Sequence, residues 1–136
     1  MSAYSIEHVG VGADDTEALA AWYATTLGFR EFFRTEANPP TIFLEDASGT
    51  KVEIFARKPG DRKPAFEERT GMHIAIAVKD FEAAVADLEA RGVRFIGNTL
   101  NVFAGGKARF FADPEGNRLH IVYRPSVPWE GMEGKK

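Results

Sequence analysis

The chain holds three histidines, His8, His73 and His120, and each lies in a short apolar stretch of alternating character. The stretches read Glu7-His8-Val9-Gly10-Val11-Gly12, Met72-His73-Ile74-Ala75-Ile76-Ala77-Val78 and Leu119-His120-Ile121-Val122. A fourth stretch, Val52-Glu53-Ile54-Phe55, carries a carboxylate where the third carries His120. His73 follows His8 by 65 residues and His120 follows Glu53 by 67, so the four residues form two pairs repeated at nearly one spacing. Neutral imidazole and carboxylate are the ordinary ligands of borderline divalent metals such as Ni, Zn, Fe and Mn. His8, Glu53, His73 and His120 are therefore a candidate metal set, and two histidines with one carboxylate leave positions open for substrate or water. A single histidine of this kind is more often a satisfied structural side chain. The repetition points to a shared ion.

The elements that must position these residues repeat as well. Each copy reads as strand, helix, strand, strand, strand. Asp15 or Thr16 caps a first helix that runs to about Thr25, with Leu19, Trp22, Tyr23 and Thr26 at helical spacing and Gly28 as a left-handed stop. Asp80 caps a second, whose Phe81, Ala84, Val85 and Leu88 form one apolar stripe and which Gly92 ends. Helices this short need a sheet to lie on. Before the last strand of each copy stands a turn, Asp46-Ala47-Ser48-Gly49 and Asp113-Pro114-Glu115-Gly116. The expected fold class is α+β: one domain over residues 1–136, with βαβββ modules at 4–58 and 71–124. A Pro- and charge-rich linker, 59–70, joins them, and a C-terminal arm spans 125–136.

Successive side chains on a strand point to opposite faces. Val9 and Val11, and Met72, Ile74, Ile76 and Val78, make apolar faces for the helices to cover. The opposite faces carry His8, Gly10 and Gly12, and His73, Ala75 and Ala77, a histidine followed by small residues that leave a hollow. The last strands repeat this pattern. Glu53, Phe55 and Arg57 oppose Val52, Ile54 and Ala56, while His120, Val122 and Arg124 oppose Leu119, Ile121 and Tyr123. Phe43 and Phe110 occupy corresponding places one strand earlier, although the pattern does not choose between Phe110 and Phe111 for the hollow side. Phe43, Phe55, Phe110, Arg57 and Arg124 are thus candidate substrate contacts, the arginines as bidentate partners of a carboxylate.

Composition removes other classes of function. The chain is 44% hydrophobic and 27% charged, a globular rather than disordered balance. The absence of cysteine excludes a disulfide framework, a thiolate zinc site and a cysteine nucleophile. A net charge of -3 argues against nucleic acid as a partner. No apolar run reaches the roughly 18 residues of a membrane span, and no hydrophobic leader is seen, so a cytoplasmic protein is expected. Gly105-Gly106 lacks the lysine and helix start of a phosphate loop, and Phe103 to Lys107 reads as a mobile loop at the mouth of the hollow.

The arrangement resembles the vicinal oxygen chelate superfamily, the glyoxalase, bleomycin-resistance and extradiol dioxygenase fold, over about Tyr4 to Arg124. The carriers are His8-Val9-Gly10-Val11, Leu27-Gly28-Phe29, Val52-Glu53-Ile54-Phe55, Met72 to Val78 and Phe111-Ala112-Asp113-Pro114-Glu115-Gly116-Asn117. The resemblance implies a curved, mostly antiparallel eight-stranded sheet around one divalent ion. His8, Glu53 and His73 match the family's ligand positions, while His120 stands where glyoxalase-like members usually carry glutamate. It implies glyoxalase I-like lyase or isomerase chemistry on a small substrate with vicinal oxygens, and with histidine at 120 either Glu53 or His120 itself would move the proton. A symmetric homodimer is also implied, with Trp22, Tyr23 and Trp129 as candidate contacts. A metal-free protein that sequesters an antibiotic-like compound is the alternative. An extradiol-type dioxygenase comes third, because that activity usually takes its carboxylate from the position of His120.

Overall fold

The computed structural model describes residues 3–68 and 71–130. Its order is β1 (Val9–Ala13), α1 (Thr16–Leu27), β2 (Arg30–Arg34), β3 (Ile42–Glu45) and β4 (Lys51–Ala56), then β5 (Ile74–Ala77), α2 (Phe81–Ala90), β6 (Phe95–Val102), β7 (Gly106–Ala112) and β8 (Arg118–Tyr123). The eight strands form two four-stranded sheets ordered β1-β4-β3-β2 and β5-β8-β7-β6. β1 with β4 and β5 with β8 are parallel, and the other four pairings are antiparallel. Two βαβββ repeats of α+β class are thus present, each closing its first strand onto its last. The contacts divide the chain into two compact units, Met1–Phe66 with Asp113–Asn117, and Glu67–Ala112 with Arg118–Lys136. The turn between β7 and β8 therefore belongs to the first unit.

Both helices start on an aspartate. The Asp15 carboxylate accepts from the Ala18 N–H at 3.0 Å and that of Asp80 from the Ala83 N–H at 3.1 Å, so each satisfies an N–H the helix cannot. α1 runs two residues past Thr25 and stops at Gly28, whose φ of 74° admits no Cβ cheaply. Leu19, Ala20, Tyr23 and Thr26 of α1 are buried with Ile42, Leu44, Val52 and Ile54 of its sheet. Phe81 and Leu88 of α2 are buried, as are Leu119, Ile121 and Phe111 in the second unit. These alternate β-residues are the helix-covered faces, and burial of each such side chain contributes about 1.5–3 kcal/mol. Met72 departs from the expected apolar face: it precedes the first residue of β5, has no ladder to hold it and is 86% exposed. Phe103 to Lys107 forms a tight turn that enters β7 at Gly106, with Ala104 at φ 62°.

Candidate functional site

In the first unit Gly10 pairs with Glu53 and Gly12 with Phe55, while Phe43 pairs with Glu53 from the other side. Phe43, Glu53 and Gly10 therefore share the face opposite the core, and the His8 ring meets Phe43 edge-on at 5.3 Å. His8 Nδ1 lies 2.9 Å from a Glu7 carboxylate oxygen, and its Nε2 lies 3.7 Å from Glu53 Oε1. In a neutral ring, Nδ1–H donates to Glu7 and the Nε2 lone pair is on the side of the Glu53 carboxylate. That gap is too long for a hydrogen bond. Two ligands of a tetrahedral ion with bonds of about 2.1 Å stand about 3.4 Å apart, so the pair is spaced as two donors to one cation.

The second unit repeats the arrangement. Ala75 pairs with His120, and Phe110 pairs with His120 from β7. The rings of His73 and His120 are 4.6 Å apart, with Phe110 edge-on to both at 5.6 and 4.9 Å. Phe111 pairs with Leu119 and is fully buried, so register gives the hollow side to Phe110. His120 Nδ1 lies 3.1 Å from the Ile121 carbonyl oxygen. A carbonyl only accepts, so Nδ1 holds the proton and Nε2 is left as a lone-pair donor. Burial lowers the His120 pKa below the usual imidazole value. The Ile121 carbonyl partly opposes this, and the charges of His73 and Arg124 add to it.

Gly10 and Gly12 leave space for their β4 neighbours. A Cβ on Gly10 would stand 3.4 Å from both Glu53 Oε1 and Phe55 Cε1, and one on Gly12 3.2 Å from Arg57 Cγ. Gly10, Gly12, Phe55, Arg57, Arg62 and Asn117 line a cavity of about 400 Å³ within this unit. Arg57, expected as a substrate contact, is engaged inside the protein. Its side chain is 6% exposed, Nη1 donates to Glu115 Oε1 at 2.7 Å and Nη2 donates to the Glu115 carbonyl at 2.9 Å. A guanidinium held at both nitrogens by one residue orients the cavity wall and is not offering that fork to a ligand.

The turn that holds Arg57 is the least anticipated part of the site. Asp113 accepts from the N–H groups of Glu115 and Asn117 and from the Tyr23 hydroxyl at 2.9 Å. Asn117 Nδ2 donates to the Gly12 carbonyl at 2.9 Å, which ties the turn to β1. Burial raises the Asp113 pKa, with those hydrogen bonds pulling the other way; burial and the Asp113 charge push Tyr23 well above its usual value. Burial would likewise raise Glu115, yet the Asp14 and Asp15 N–H groups, Arg57 and the Lys63 charge hold it below the ordinary carboxylate value. The signal was present in Asp113-Pro114-Glu115-Gly116-Asn117, but nothing local says which strand such a turn will dock against. Tyr23, a candidate subunit contact, is fully buried against this turn and unavailable for one.

The structure thus brings His8 to Glu53 and His73 to His120. Among the described residues no group of three or more His, Cys, Asp or Glu side chains is gathered to hold an ion. Each pair offers donor types suited to a borderline divalent metal, imidazole with carboxylate in the first unit and two imidazoles in the second. No helix among the described residues is long and apolar enough to cross a membrane.

The site is thus carried by duplicated βαβββ units, each with an imidazole on the side of its sheet opposite the core. The family model of the Glyoxalase/Bleomycin resistance protein/Dioxygenase superfamily matches residues 5–121, and the chain belongs to that family. It is 28% identical over 120 residues to the uncharacterized protein YaeR of Escherichia coli K12, covering 85% of this chain and 93% of that one. It is also 28% identical over 117 residues to the mitochondrial methylmalonyl-CoA epimerase of Homo sapiens, covering 81% of this chain and 66% of the epimerase. A glyoxalase family protein from Enterococcus faecalis superposes with a TM-score of 0.73 at 27% identity, over 90% of this chain and 99% of that one. The superfamily includes enzymes, as that epimerase shows.

Proposed function

We propose that the protein is a divalent-metal-dependent enzyme that moves a proton at a carbon beside a carbonyl, on a substrate with two neighbouring oxygens. The observation that carries this is the matched pairing of His8 with Glu53 and of His73 with His120, each beside a phenylalanine at the same register. The two pairs act as the two halves of one metal centre, drawn from one chain or from two copies in a homodimer. When bound, the metal would supply Lewis-acid polarisation of the substrate oxygens, which would acidify the C–H beside the carbonyl.

The chain's own residues do the rest. His120 keeps its Nδ1 proton on the Ile121 carbonyl, so Nε2 accepts a ligand or a proton without a change of tautomer. Glu53 holds the corresponding place in the first unit, on the face opposite the core beside Gly10. We assign proton transfer to Glu53 and His120, which hold equivalent places on the last strand of each repeat. Phe43 and Phe110 flank them and exclude water from that exchange. The kinship with an epimerase favours proton transfer over ring-opening oxygenation.

Metal analysis of tag-free protein purified without chelator tests the reading. About one equivalent of Ni, Zn, Fe or Mn is expected, and His73→Ala should lose it more completely than His120→Ala. Less than about a tenth of an equivalent, unrecovered on adding those ions, would favour a metal-free binding protein instead.

A further inference from the structure

The two repeats place arginines at matching positions, Arg57 and Arg124, and use them differently. Arg57 is enclosed and held at both nitrogens by Glu115. Arg124 forms no ion pair with a carboxylate among the described residues. Its guanidinium carbon lies 4.2 Å from the Phe103 ring centroid and 5.4 Å from that of Trp129, and Nη1 approaches the Phe103 carbonyl at 3.4 Å. Both rings are exposed, Phe103 by 62% and Trp129 by 54%. Two exposed aromatics around one cation contribute little as a core, but they fix the plane of a guanidinium and leave N–H edges to a partner.

The backbone beneath is cleared for this seat. A Cβ on Gly106 would stand 2.7 Å from the Tyr123 carbonyl oxygen and 3.4 Å from Arg124 Nη1, so no side chain fits there. Arg124 lies one residue past β8, at the end of the strand that carries His120. Four residues of strand separate the His120 and Arg124 backbones by about 13 Å.

We propose that Arg124, clasped by Phe103 and Trp129, binds an anionic group of the substrate, a carboxylate or phosphate on the order of 10 Å from the reacting carbon. This rests on the reading of His73 and His120 as part of the reaction centre. It makes the substrate class an elongated anion rather than a compact dicarbonyl.

The chain has two tryptophans, so the Trp129 indole N–H resonance can be assigned with a Trp22→Phe variant. Titration with inorganic phosphate and, separately, with malonate should shift that resonance saturably. Affinity should fall at least tenfold in Arg124→Met and be unchanged in Arg30→Met, a control for ionic strength. The tighter of the two anions assigns phosphate or carboxylate to the substrate. Equal saturation in Arg124→Met, or no shift beyond that from matched sodium chloride, would overturn the proposal. Metal content is measured on the same samples. Metal-loaded protein indifferent to both anions refutes the anion site alone, whereas anion-binding protein that takes up no metal refutes the metal reading alone.

Discussion

Replacing Glu115 by alanine strands Arg57. The two side chains are 11% and 6% exposed and meet at 2.7 Å, so their pair is a part of the interior. Removing one partner of a buried ion pair costs about 3–5 kcal/mol, because the remaining charge loses its counter-ion without regaining water. Lys63 and Asp14 stand at the rim, 52% and 62% exposed, and Asp14 approaches Arg57 at 3.5 Å. That residual contact places the expected loss at the lower end, about 3 kcal/mol. With a urea m-value of about 2 kcal/mol/M, the unfolding midpoint should drop by about 1.5 M. Arg57→Met combined with Glu115→Gln should recover part of the loss, since neither charge is then left alone. The pH dependence has a fixed sign. Glu115 has a folded pKa below its unfolded one, so its contribution is full above about pH 4.3 and is lost as pH falls through the lower folded value. The gap between wild type and Glu115→Ala should therefore be flat from pH 7 to about 5 and close below that. A loss under about 1 kcal/mol at pH 7 would mean that the pair behaves as a surface contact and that Arg57 is free to bind ligand.

Two further substitutions probe the same unit. Tyr23→Phe removes the hydroxyl donated to Asp113 at 2.9 Å and should cost about 1–2 kcal/mol by urea unfolding. That bond favours the charged form of Asp113, whose folded pKa is raised, so the loss should be larger at pH 7 than at pH 4; the reverse order would contradict the assignment. Gly12→Ala brings a methyl to 3.2–3.3 Å of Arg57 and Phe55 and should destabilise by about 1–2 kcal/mol, whereas Gly10→Ala, at 3.4 Å, should cost less. Equal costs at the two glycines would mean that Arg57 is not held where the structure has it.

The duplicated βαβββ order was legible because strand alternation and helix caps are local signals. Asp15, Asp80 and Gly28 announce their helices, and His8 and His73 stand at equal places before parallel strands. That His8, Glu53, His73 and His120 stand on the faces opposite the helices could be read from the alternation, but the parallel register that sets His8 near Glu53 and His73 near His120 is not a local signal. The choice of Phe110 over Phe111 was not, because it depends on the β7–β8 register and a slip of one residue exchanges the faces. The commitment of Arg57 was hidden more deeply. Its partner is 58 residues away in a turn between strands of the other repeat, and no periodicity encodes such a docking. Met72 shows the limit of alternation, which assigns a face only where a ladder exists.

The proposed role of the two histidine-bearing pairs is to hold one ion. Anomalous diffraction from crystals grown with Ni or Zn, collected at the metal edge, tests it most directly. One peak is expected about 2.0–2.2 Å from Nε2 of His8, His73 and His120 and from a carboxylate oxygen of Glu53, with the four residues supplied by one chain or by two. A peak bound by only one of the pairs, or none at either in fully loaded protein, would contradict it.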